Sequence, residues 1–102
     1  MEKRWGARRR LDLDLLLYHR GVPVSRGKTR DIGMEGLFAH IGPAWLSVGT
    51  PVEAELLVPD GGRTGRYRLA SVITHVGTEG MGLMFQVFDP AAYQAIQRIL
   101  DE

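Results

Sequence analysis

A chain of 102 residues has material for one domain with a single core, and it lies above the size at which disulfides or metals are needed to hold a fold together. With no cysteine, thiol catalysis, disulfides and thiolate metal sites are excluded, and His19, His40 and His75 lack ligand spacing, so no metal is expected. Net charge is +1, but five cations (Lys3, Arg4, Arg8, Arg9, Arg10) oppose Glu2 in the first ten residues, so this arm carries +4 and leaves −3 on the rest.

Residues 1–10 show no hydrophobic period and predict a flexible basic arm in which Trp5 alone breaks the polarity. No apolar segment follows it as a signal peptide would require, and the longest apolar run, Leu15–Leu17, is far too short to span a bilayer. A cytoplasmic protein without a transmembrane segment is expected. Leu11, Leu13, Leu15 and Leu17 then share one face, with Asp12 and Asp14 on the other, the period of a half-buried strand. Gly21 and Pro23 break the run, Val24–Ile32 predicts a second strand, and Gly36–Ile41 a third after a glycine turn. Gly42-Pro43 interrupts again, and Trp45 in the irregular stretch to Pro51 is expected to cover one end of the core.

Val52, Ala54, Leu56 and Val58 alternate with Glu53 and Glu55 in a fourth strand. Pro59-Asp60-Gly61-Gly62 is the turn expected before a fifth strand over Gly65–Val76, and Gly77–Gly80 the turn before a sixth over Met81–Phe88. At Asp89-Pro90 the period changes. Aspartate is a good N-cap and proline suits the first helical position, so a helix is predicted at about 90–101, with Tyr93, Ile96, Ile99 and Leu100 as its apolar stripe. Six short strands joined by turns avoid exposed edges by closing on themselves. The fold class predicted is all-β with a C-terminal helix, a six-stranded antiparallel small β-barrel spanning residues 11–102 as a single domain.

Two features carry the functional reading. One is the Arg-x-x-x-Arg spacing of Arg4 and Arg8; the other is the turn Asp31-Ile32-Gly33-Met34-Glu35-Gly36, about twenty residues on. Arginine pairs bidentately with phosphate or with the O6/N7 edge of guanine and stacks its planar group on a base. A carboxylate at Asp31 can accept hydrogen bonds, and Gly36 lets a ligand come close to the backbone. In order, spacing, strand number and closing helix the chain resembles the PilZ domain family, bacterial receptors for the second messenger cyclic di-GMP. That family carries Arg-x-x-x-Arg and then Asp/Asn-x-Ser-x-x-Gly. Gly80-Met81-Gly82-Leu83-Met84-Phe85 followed by Asp89-Pro90 is also similar to the end of that domain.

The resemblance implies cyclic di-GMP as ligand, no cofactor, and ligand-binding residues Arg4, Arg8, Asp31, Gly33 and Gly36, with Arg9 and Arg10 as alternatives to Arg8 for the second arginine. It implies an arm that wraps the ligand and relays its level to an output protein, in a monomer or dimer. Gly33 stands where the family has serine, and the missing hydroxyl contact weakens binding several-fold to tenfold for a net hydrogen bond of about 1 kcal/mol. Arg30 is a candidate for phosphate contact or else a solvated cation, and Trp5 either stacks on a base or plugs a surface groove; His40 and His75 are placed on strand surfaces without ligand roles. Catalysis has no motif: Ser25, Ser47 and Ser71 lie in no nucleophile context, and no phosphate loop with lysine occurs. Two alternatives stand beside the receptor. One is a protein-interaction adaptor of PilZ-like form that has lost its ligand. The other is a small barrel binding single-stranded nucleic acid, against which the acidic body argues; no DNA is expected as a partner.

Overall fold

The computed structural model describes residues 8–41, 46–86 and 89–101. Seven strands and one helix form in the order β1 (Arg8–Arg10), β2 (Asp14–His19), β3 (Val22–Gly33), β4 (Gly36–Ile41), β5 (Pro51–Asp60), β6 (Arg63–Gly77), β7 (Gly80–Phe85) and α1 (Pro90–Asp101). All the pairings are antiparallel. The order β3-β2-β5-β6-β7-β4 returns to β3 through the β3–β4 pairing, so six strands close a barrel and β1 adds to the outer end of β3.

Alternation explains which side chains fill it. Leu13, Leu15 and Leu17, then Leu37, Ala39 and Ile41, then Val52, Ala54, Leu56 and Val58 are all buried, as are Leu69, Ile73, Met81, Leu83 and Phe85 from the last two strands. Each large side chain so buried stabilises the fold by roughly 1.5–3 kcal/mol relative to exposure. Closing a barrel from so few strands demands sharp coiling, and glycine permits it where backbones meet. A Cβ on Gly36 would sit 2.1 Å from the Leu83 carbonyl oxygen, and one on Gly27 the same distance from that of His40.

Several boundaries differ from those predicted. The strand expected over Leu11–Leu17 is split. Its partner β3 stays continuous, but residues 11–13 leave the ladder, and the buried Thr29 hydroxyl stands in for main chain there, accepting from the Leu13 amide at 2.9 Å and donating to the Leu11 carbonyl. Nor is the arm over residues 1–10 wholly free: Arg8–Arg10 pairs with Asp31–Gly33, because the exposed edge of β3 offers main-chain partners to any segment that reaches it. Pro59 and Asp60 belong to β5, and the turn is only Gly61-Gly62, both with positive φ (56° and 86°), the tight type that follows strand twist. Arg4 and Trp5, Gly42, Pro43 and Trp45, and the expected strand end at Val87 and Phe88 lie outside the described residues.

Asp89 caps α1 as expected, accepting from the Ala92 amide at 3.3 Å. The buried face is centred on Ala92, Ala95, Ile96 and Ile99, while Tyr93 and Leu100 pack at its margins. The helix lies against β6. Its last turn meets β1, where Arg9 donates to the Ile99 carbonyl.

Candidate functional site

Asp31 is the centre of the outer face made by β3, β4 and β7. It pairs with Phe38 of β4 on one side and Arg10 of β1 on the other, so all three side chains leave the same surface of the sheet. Arg30 would ordinarily point inward. The register of β3 against β4 skips it, Thr29 pairing with Ala39 and Asp31 with Phe38, and this one-residue bulge lets Arg30 lie over the Phe38 ring with its guanidinium carbon 4.0 Å from the centroid.

The carboxylate of Asp31 holds two guanidinium groups. Arg8 Nε donates to Oδ1 at 2.9 Å, with its Nη2 at 2.7 Å from the same oxygen, and Arg30 Nε donates to Oδ2 at 2.7 Å. Burial pushes the Asp31 carboxyl up, but the hydrogen bonds from Arg30 and Arg8, with the charges behind them, outweigh that and hold it below its ordinary value of 3.8. It stays ionised at any physiological pH. The cations remain half-exposed at 45% and 36% of the side chain against 13% for the acid, so each keeps donors facing outward.

Beside this triad is a shallow pocket of about 310 Å³, lined by Arg8, Arg30, Glu35, Gly36, Phe38, Thr74, His75 and Met84 among others. A second bulge shapes its far wall. In β6, Ile73 pairs with Leu83 and His75 with Gly82, leaving Thr74 unpaired and both Thr74 and His75 exposed. His75 lies 5.9 Å from the Phe38 ring and His40 6.3 Å from it, edge-on, so Phe38 is the centre of an aromatic cluster. Such a surface can take a flat ring against His75 or the Arg30 guanidinium, which Phe38 backs, and an anion against the guanidinium edges.

Of the residues singled out from sequence, Arg8, Asp31, Gly33 and Gly36 come together here. Gly33 is the cross-strand partner of Arg8, and its φ is not positive. Gly36 lines the pocket, but the near contact with Leu83 makes it glycine for barrel closure rather than to admit a purine. Arg9 does not join them, because adjacent strand residues face opposite ways and it turns to α1. Arg4 lies outside the described residues. Phe38, Thr74 and Met84 were not among the expected ligand residues, and His75 was placed on a strand surface without a role, while Arg30, a candidate for phosphate contact, lines the pocket. Phe38 had a signal: inward Leu37, Ala39 and Ile41 force it outward, where a large aromatic is unusual. Thr74 had none, and nothing local shows that Arg30 turns outward, since a bulge depends on the partner strand.

No family model and no curated protein sequence matches the chain. Solved structures do. The PilZ domain of CeSA from a cellulose synthesizing bacterium has a TM-score of 0.73 with this chain, covering 94% of it and 96% of that domain at 19% identity. The Bacillus subtilis inhibitor of motility, MotI/DgrA, has a TM-score of 0.82 over 99% of this chain at 15% identity. This chain spans 50% of that protein's length. The fold is thus PilZ-like, a six-stranded antiparallel barrel with one C-terminal helix. Among the described residues no helix is long and apolar enough to cross a membrane.

Proposed function

We propose that this PilZ-like chain is a non-catalytic, cytoplasmic receptor module for cyclic di-GMP that relays the level of the messenger to a partner protein. The observation that carries the reading is the pair of guanidinium groups held on one carboxylate beside half-buried Phe38 and the exposed His40 and His75. Phosphate or a guanine edge engages the outward donors of Arg8 and Arg30, and a base stacks on the Arg30 guanidinium, which Phe38 backs, or on His75. The pocket is at the small end for ligands, so it takes part of the dinucleotide. Asp31 acts first as the organiser of the two arginines; a guanine contact from it requires one of them to turn away.

The likeness of fold supports the reading, as does the match of Arg8, Asp31 and Gly36 to the family order. Gly33 favours a second one, an adaptor that keeps the form without the ligand. Calorimetric titration with cyclic di-GMP separates them. A receptor gives saturable heat with affinity between sub-micromolar and tens of micromolar, and Arg8→Ala or Arg30→Ala weakens it about tenfold or more. Absence of heat and of any thermal shift at hundreds of micromolar ligand leaves the adaptor.

A further inference from the structure

The run Arg8-Arg9-Arg10 has no alternation of residue type, so nothing in β1 itself specifies its register on β3. Slipping by one residue would turn Arg9 outward and send Arg8 and Arg10 toward the helix. A slip of two would put Arg10 in the place of Arg8. Any of the three could then pair with Asp31, and any could donate to the carbonyls at the end of α1. Yet one register is formed, with Arg8 opposite Gly33, Arg9 opposite Ile32 and Arg10 opposite Asp31.

We propose that the Thr29 hydroxyl sets this register, and so selects Arg8 rather than a neighbour to face the anion-binding pocket; the functional part of this rests on the receptor reading above. Thr29 is 2% exposed and sits where β1 and β2 separate. Its Oγ1 accepts from the Leu13 amide and donates to the Leu11 carbonyl, so one hydroxyl spans both ends of the detour around Asp12. The main chain encloses the same point: the Thr29 amide donates to the Leu13 carbonyl at 2.8 Å and the Leu11 amide to that of Arg30 at 3.1 Å. Leu13 is anchored in the core, which phases β2. The hydroxyl then fixes how many residues are consumed between that anchor and β1. Thr29 is therefore a positioning residue: it acts on a ligand through Arg8.

The test uses Thr29→Val, which keeps volume and branching but removes the hydroxyl, and Thr29→Ser, which keeps it. Nuclear magnetic resonance on the protein without ligand reads the register directly, from cross-strand Hα contacts pairing Arg8 with Gly33 and Arg10 with Asp31, and from amide exchange. Parent and Thr29→Ser should show these pairs. Thr29→Val should lose or shift them and speed exchange at Leu11 at least tenfold, while the amides of β4 and β7 stay protected. Retention of both pairs in Thr29→Val overturns the proposal. So does loss of protection throughout the barrel, or failure of Thr29→Val to fold while Thr29→Ser is native, because the hydroxyl then supports the whole barrel. Titration with cyclic di-GMP adds the functional arm: where the parent binds, Thr29→Val should bind about tenfold more weakly, and substituting Arg8 in that background should cost little more. A parent that does not bind removes the receptor reading, and the register measurement still decides the role of Thr29.

Discussion

Two outer faces of this barrel are built from the same materials. On β2, β5 and β6, Arg68 lies 3.8 Å from the Tyr18 ring centroid, Arg68 pairs with Glu53, Arg66 with Glu55, and the Tyr18 hydroxyl donates to Glu55 at 3.1 Å. On β3, β4 and β7, Arg30 covers Phe38 in the same way. The difference is stoichiometry. The first face gives each arginine its own carboxylate, at 3.5 Å in both cases, while the second has two arginines on Asp31 at bonding distance. Counting the neighbouring Arg10 and Glu35, the site face holds three arginines against two carboxylates. Arginine and an aromatic are common to both faces; an excess of donors on a shared carboxylate belongs to the second alone of the two.

The largest expected effect removes the site face altogether. Gly36→Ala must push β4 from β7 at the Leu83 carbonyl and should cost about 3 kcal/mol, read as a lower urea midpoint. An unchanged midpoint would show that the closure tolerates a methyl group there. Next comes the paired exchange of Asp31→Asn and Glu55→Gln. The first strips two charge-assisted bonds and should destabilise by about 2 kcal/mol, whereas the second should cost under about 1 kcal/mol because Arg66 is largely exposed. Equal costs would erase the distinction between the faces.

The acid limb of stability sharpens the same contrast. The folded-state pKa of Asp31 is depressed, so its contribution is present above the unfolded value and is lost as pH falls from about 3.8 through the lower folded value. Asp31→Asn should flatten that part of the stability profile, measured by denaturation from pH 5 to pH 2; a profile identical to the parent would show that the triad does not form in solution. Gly33→Ser tests the departure from the family pattern. Because Gly33 does not have a positive φ and faces Arg8, serine should be accepted by the backbone and tighten cyclic di-GMP binding about five- to tenfold, with little change in melting temperature. Weaker binding would place the hydroxyl in competition with Arg8. The smallest effect lies off both faces, in the turn Arg20-Gly21, where Arg20 has φ 56°. Arg20→Asn should stabilise by about 0.5 kcal/mol and leave affinity unaltered, as checked by thermal melting beside calorimetry.

Sequence alone determined the six barrel strands in outline, their alternation, the barrel and the capped helix, though not β1. Each of these rests on a local period or a local turn: the inward leucines of β2, the glycine turn before β6 and the Asp89 cap are all encoded within a few residues. Sequence also brought Arg8, Asp31 and Gly36 into one hypothesis through family order. It did not show that Gly36 is glycine for the sake of Leu83, nor that Arg9 serves the helix, nor that His75 borders the pocket, nor that Arg30 is laid over Phe38. Those facts belong to pairs of strands. A bulge at Arg30 or Thr74 exists only relative to the neighbour it skips, and a run of three arginines has no preferred face until another strand gives it a register.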